Sequence, residues 1–315
     1  MHTLEAECRE LAAAGVVDEG AASLAVALER GEIFPVYGEI RLVLYGAVLA
    51  ITSGLGIVLK DNIDRIGPVS LIVGVGIVAA ACYASAVRTR LRGETRSIGG
   101  DYVLLLGALI VSADLGYAES QFHWLGSHWS WYLLVLAAIH AVTAYALSSR
   151  LVLSVSLASL AGWFGVSAQP EMLFRPDVAL GRTGVSALLC AGLILLWREV
   201  HRRADGTAEF REVFEHFAAN VAFWGALALT FAPGTRLAGT VALLAIGAVS
   251  IGKGLRDREE AFAVYGVGYT ALGLCVLAAE LSGDGLLAAL LGLGIVTAAV
   301  IALWRLHALI KPAAA

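Results

Sequence analysis

Residues 68–92 read PVSLIVGVGIVAAACYASAVRTRLR. The first 20 of them, Pro68 to Val87, carry no charged side chain, and the last five carry three arginines. An α-helix rises about 1.5 Å per residue and a bilayer's hydrocarbon core is about 30 Å thick, so about 20 apolar residues is a crossing length. Arginines crowded just past such a run hold that helix end on the cytoplasmic side. Pro68 to Val87 is therefore expected to span a membrane, with Arg88, Arg90, Arg92 and Arg96 inside.

The rest of the 315-residue chain extends this reading. It is 59% hydrophobic and 15% charged, with a mean hydropathy of +0.79. Ordinary soluble domains carry about 25% charged residues. A water-soluble globule of this size cannot hide so much apolar surface, and neither a disordered nor a fibrous chain has this composition. The net charge is −4, so no basic excess points to nucleic acid as a partner. The expected class is a polytopic, all-α transmembrane bundle.

About ten apolar runs follow one another, near 42–59, 68–87, 102–118, 130–147, 151–166, 184–197, 216–232, 237–252, 263–281 and 286–304. Several are shorter than a full span and are expected to extend into their flanks. With the N-terminus in the cytoplasm, only Lys60, Arg65, Arg175, Arg182 and Arg236 fall outside, and the other 17 of the 22 basic residues fall inside. That asymmetry supports an even number of spans with both termini cytoplasmic. The membrane is expected to be the bacterial inner one. No cleavable signal is visible before the first run.

Ahead of the spans, residues 1–38 are expected to form a small cytoplasmic helical hairpin, with 39–315 as the transmembrane domain. Leu4, Cys8 and Leu11 recur at helical spacing, Gly15 can end that helix, and Asp18 can cap the next, which carries Leu24 and Leu28. Two such short helices are marginal alone and are expected to dock on the membrane domain or on a partner protein. The loop from Arg198 to His216, which mixes arginines and glutamates, is a second candidate docking surface. Its arginines, like Arg88 to Arg96, also suit anionic lipid headgroups.

Cys8, Cys82, Cys190 and Cys275 form no CxxC pair and read as small packing residues. Many of the 35 glycines lie inside spans, as in Gly54/Gly56, Gly74/Gly76, Gly266/Gly268 and Gly292/Gly294. Small residues let membrane helices approach closely, so these pairs are expected at helix contacts rather than around a phosphate.

Four stretches look familiar together: Gly46 to Pro68, Gly100 to Gly126, Leu151 to Val166 and Phe262 to Leu274. With the leading hairpin, they resemble a family of bacterial predicted membrane proteins of unknown function. Members similar to this chain often show Asn, an aromatic residue and Asp after the first span. Here that triplet is Asn62-Ile63-Asp64, without the aromatic. The resemblance implies the architecture and brings no catalytic residues.

Ionisable groups at membrane depth are costly, so each marks a candidate site. Asp114, His140, Asn220 and Glu280 form the candidate intramembrane polar set. The loop Glu119-SQFHWLGSHWSWY-Leu133 is aromatic-rich, as membrane interfaces are. Glu119 and His123, four residues apart, can share a helix face, and with His128 offer O and N ligands. Asp61, Asn62 and Asp64 are expected near the same outer face. No metal or cofactor is assigned. The reading that follows is a non-enzymatic scaffold or accessory subunit. The alternatives are an ion-coupled carrier using Asp114 and His140, and a membrane-embedded metal-dependent enzyme.

Overall fold

The computed structural model describes residues 4–29, 37–92, 98–126, 130–165, 176–204, 210–232, 234–283 and 285–310. Among them the chain is helical throughout, without strands. Two short helices come first, α1 (Leu4–Ala13) and α2 (Glu19–Glu29), and they pack on each other. Gly15 leaves α1 at φ +68°, the left-handed conformation a helix end favours. The Asp18 carboxylate accepts the Gly20 N–H at 3.1 Å and so caps α2.

Ten longer helices follow. They are α3 (Tyr37–Ile66), α4 (Pro68–Leu91), α5 (Ile98–Phe122), α6 (Trp131–Leu147), α7 (Arg150–Trp163), α8 (Pro176–Arg203), α9 (Arg211–Phe231), α10 (Arg236–Asp257), α11 (Glu260–Ser282) and α12 (Gly285–Ile310). Among the described residues six are long and apolar enough to cross a membrane: α4, α5, α8, α10, α11 and α12. The stretch Leu42–Gly54 of α3, α6 and α7 are apolar but shorter. Helix α9 has the length, but Arg211, Glu212, Glu215, His216 and Asn220 make its first half polar.

Helix α7 explains how a short apolar run is accommodated. Its 14 residues reach about 21 Å, less than the hydrocarbon core. Its buried residues include Val152, Leu153, Leu157 and Leu160. A helix that is apolar all round belongs inside a protein. Its side chains pack with Leu104 of α5, Ala137 of α6, Ile194 of α8 and Phe214 of α9 in the main core. Ser156 donates to the Ala137 carbonyl at 2.7 Å, tying α7 to α6.

The glycines that let helices touch are mostly not the expected pairs. A Cβ added at Gly54, Gly74, Gly268, Gly292 or Gly294 meets nothing within 4 Å. The close approaches are elsewhere. At the α8–α9 crossing, a Cβ on Gly184 falls 2.8 Å from the Gly225 carbonyl, and one on Gly225 falls 2.9 Å from the Gly184 carbonyl. At the α10–α11 crossing, a Cβ on Gly266 falls 2.8 Å from the Gly247 carbonyl. Of the expected glycines whose surroundings are described, Gly266 alone marks a tight crossing. The reason is partner geometry: sequence shows which helices carry glycine, and only packing decides which glycine faces another backbone.

Candidate functional site

Helix α9 packs along both α8 and α10, and its small residues leave a groove between those two walls. Ala218, Ala219 and Ala222 of α9 form the floor, with Leu195 of α8 and Val249 of α10 on the walls. The cavity measures about 380 Å³. Leu195 is 47% exposed and Val249 is 72% exposed, so the walls are apolar out to the rim. At the end where α8 stops and α9 starts, the lining turns charged. Arg198, Lys253 and Arg256 face one carboxylate, Glu215.

Glu215 is buried, at 6% exposure. Three cations converge on it. Arg198 pairs with its Oε1. Arg211 Nε donates to Oε1 at 3.0 Å, and Lys253 Nζ stands 2.9 Å from Oε2. A second carboxylate, Asp257, holds Lys253 at 2.5 Å, Arg256 at 2.9 Å and Arg211 at 3.2 Å. Lys253 also lies 4.6 Å from the centre of the Phe262 ring, a cation–π contact. His216 stacks on the same Phe262 ring, with the ring centres 4.7 Å apart. Glu215 lies one residue before the apolar run 216–232. Burial by itself pushes its carboxyl up, but the Lys253, Arg211 and Arg198 charges outweigh it, and the carboxyl sits below its ordinary range. The Nε–H of Arg198 is buried without a hydrogen-bond partner among the described residues.

The expected intramembrane set does not gather in one place. Asn220 on α9 donates to the His216 carbonyl at 2.8 Å and accepts from the Tyr269 hydroxyl at 2.8 Å, tying α9 to α11. Glu280, at the far end of α11, pairs with Arg236 at 2.5 Å, tying α11 to α10. His140 is fully buried on α6, with Nε2 2.8 Å from the Ser112 hydroxyl of α5. The Ser112 hydroxyl also lies 3.0 Å from the Ala108 carbonyl, and Nδ1 of His140 is buried without a hydrogen-bond partner among the described residues. Asp114 lies two residues past Ser112, about 200° around α5. Its carboxylate is half-buried over α4, where a Cβ on Gly76 falls 3.5 Å from Oδ2. Asp114 thus leaves α5 from a different face than the one His140 packs against.

The outer set is divided as well. Glu119 is buried, and its two oxygens lie 3.2 and 3.3 Å from the Leu125 N–H. It closes the turn after α5, where His123 takes a positive φ of 49° and is exposed. His128 lies outside the described residues, as do the side chains of Asp61, Asn62 and Asp64 at the end of α3. Among the described residues no three His, Cys, Asp or Glu side chains are grouped to hold a metal ion.

Lys253 and Asp257 are absent from the expected sites, and Glu215 enters them only as part of the Arg198 to His216 docking segment. One signal was present: Lys253 and Asp257, four apart at the end of an apolar run, are the spacing of a helical ion pair. Nothing local to α9 says that Glu215 turns toward α10.

Residues 9–153 match a family described as "Predicted membrane protein (DUF2157)". The match takes in the stretches Gly46 to Pro68 and Gly100 to Gly126 and ends inside α7. The stretch Phe262 to Leu274 and the groove between α8 and α10 lie beyond it. No curated protein and no solved structure matches the chain.

Proposed function

We propose that this chain, a predicted membrane protein of unknown function over residues 9–153, is a multi-pass protein of the bacterial inner membrane. It acts as a non-enzymatic scaffold or accessory subunit. In this reading α3 to α12 carry the ten apolar runs as its spans, residues 1–38 are a cytoplasmic docking unit, and both termini are cytoplasmic. The distribution of Lys and Arg supports that orientation. Reporter fusions at Gly126 and Gly206 test it, with the first required outside and the second inside.

One observation carries the scaffold reading. Polar side chains that transport or catalysis would draw on are committed to joining helices: His140 to Ser112, Asn220 to Tyr269, Glu280 to Arg236. Groups held this way fix a bundle. The reading requires a stoichiometric partner that purifies with the full chain in mild detergent. That partner should be lost when residues 1–29 are deleted or when the 198–216 segment is mutated. A monomeric, partner-free protein after cross-linking in intact cells overturns it.

A carrier is the second reading, and Asp114 favours it. Its half-buried carboxylate has no hydrogen bond or ion pair among the described residues, and an unpaired carboxylate at membrane depth is a candidate proton or cation site. Proton flux through vesicles that falls in Asp114→Asn supports this reading. Flux unchanged by that substitution removes it.

A further inference from the structure

The groove between α8 and α10 has a shape and a polarity that the scaffold reading does not use. Its walls and floor are apolar along their length, and the rim residues Leu195 and Val249 are open to the surroundings. Its charged end is cationic: Arg198, Lys253 and Arg256 against Glu215. Asp257 and Glu259 lie next to this end and moderate its charge without lining the groove. The volume, about 380 Å³, falls in the range of small-molecule pockets. In a membrane, an apolar groove open to the side is filled by acyl chains, because no water is there to fill it. What the basic end adds is selection by headgroup charge.

We propose that this groove is a binding site for an anionic phospholipid, with an acyl chain along Ala218, Ala219 and Ala222 and the phosphate at Arg198, Lys253 and Arg256. Two features of the charged end favour an occupant. The buried Nε–H of Arg198 is without an acceptor, and a phosphate oxygen is the acceptor that guanidinium geometry suits best. Arg256 is 77% exposed at its side chain, where a headgroup arrives from the leaflet without breaking the buried pairs of Glu215. A basic pocket between membrane helices at their arginine-rich end is a recognised form of anionic-lipid site. The proposal needs the helices to lie in a bilayer and does not need a protein partner. It stands or falls separately from the scaffold reading.

The test uses the full chain, purified in mild detergent and stripped of lipid. It is then offered an equal mixture of phosphatidylglycerol and phosphatidylcholine with matched acyl chains. Native mass spectrometry reads the lipid retained. Phosphatidylglycerol is expected to be kept over phosphatidylcholine by about tenfold, the scale that one to two extra cations give. Arg256→Gln is expected to cut that preference by about fivefold, one charge's worth. Ala222→Trp, which fills the groove without changing a charge, is expected to abolish retention of both lipids. Ala219→Leu replaces it should the tryptophan variant fail to fold. Glycerol phosphate, which has the headgroup chemistry without acyl chains, is expected not to displace the lipid. Equal retention of the two lipids overturns the proposal, as does undiminished retention in the filled groove. Displacement by glycerol phosphate overturns the acyl-chain half and leaves a plain phosphate site.

Discussion

Two polar places in this bundle have little in common. On α5 and α6, His140 meets one hydroxyl, Ser112, in a layer of apolar side chains. Where α8 and α10 end and α9 begins, four cationic side chains interlock around Glu215 and Asp257. The difference is one of charge. A neutral imidazole inside a bundle needs a single partner, and a neighbouring helix supplies one cheaply. A buried carboxylate needs cations from several elements at once, because desolvating an ion costs several kcal/mol. The first arrangement joins two helices. The second joins three, and leaves a cationic surface facing a groove.

The largest expected effect breaks the second arrangement. Glu215→Leu removes the anion that Arg198, Arg211 and Lys253 share. Breaking a buried pair from one side costs about 3–5 kcal/mol. Arg211 is 51% exposed at its side chain and water can solvate it, so the low end, about 3 kcal/mol, is expected. Chemical denaturation in detergent reads it. A loss under about 1 kcal/mol, the scale of a surface pair, would place Glu215 outside the structural core.

Acid tests the same network from the proton side. The folded Glu215 carboxyl titrates below its ordinary value of 4.5. A depressed carboxyl contributes stability that is present above the unfolded value and is lost as pH falls through the folded one. The wild-type protein is therefore expected to lose stability on acidification below about pH 4.5. In Glu215→Gln the part of that loss due to this residue is expected to vanish. A pH profile unchanged in the variant would show that other carboxylates carry it.

A middle-sized effect belongs to the α8–α9 crossing that holds the groove's floor against its wall. Gly225→Leu drives side-chain atoms into the Gly184 carbonyl and the Ala187 side chain, both 2.9 Å from the first added carbon. Overpacking of this kind costs about 1–3 kcal/mol. Gly292→Leu on α12, where an added Cβ meets nothing, is expected to cost nothing, since leucine is the better helix former. Thermal unfolding of the two variants side by side separates a glycine in a tight crossing from one with open space beside its Cα.

That pair of glycines shows what the sequence carried and what it did not. The apolar runs foretold helices because burying backbone in hydrocarbon leaves no other choice, and α3 to α12 follow the ten runs in order. Gly15 and Asp18 act locally, within a turn of their own helices, and their end and cap roles were readable. Gly225, Glu215 and Lys253 act between one helix and the next. Their roles depend on rotation about the helix axis, which a run of apolar residues with no polar face does not encode. The same reason kept Asp114 from being sorted onto a different face of α5 than the one His140 packs against until the faces were seen.

The smallest expected effect concerns the pair His140 and Ser112. Hydrogen bonds between membrane helices average about 0.6 kcal/mol by double-mutant cycles. His140 is fully buried and Ser112 partly so, and the imidazole's Nδ1 has no hydrogen-bond partner among the described residues, so it carries a penalty of its own. His140→Leu with Ser112→Ala removes the bond and the unpartnered nitrogen together, and replacing both partners by apolar groups is often nearly neutral. The coupling energy from the His140/Ser112 cycle is thus expected to be about 0.6 kcal/mol, several times below that of a Glu215/Lys253 cycle measured the same way. Equal couplings would mean that His140 is charged in the folded bundle, and the contrast between a neutral joint and an ionic one would be lost.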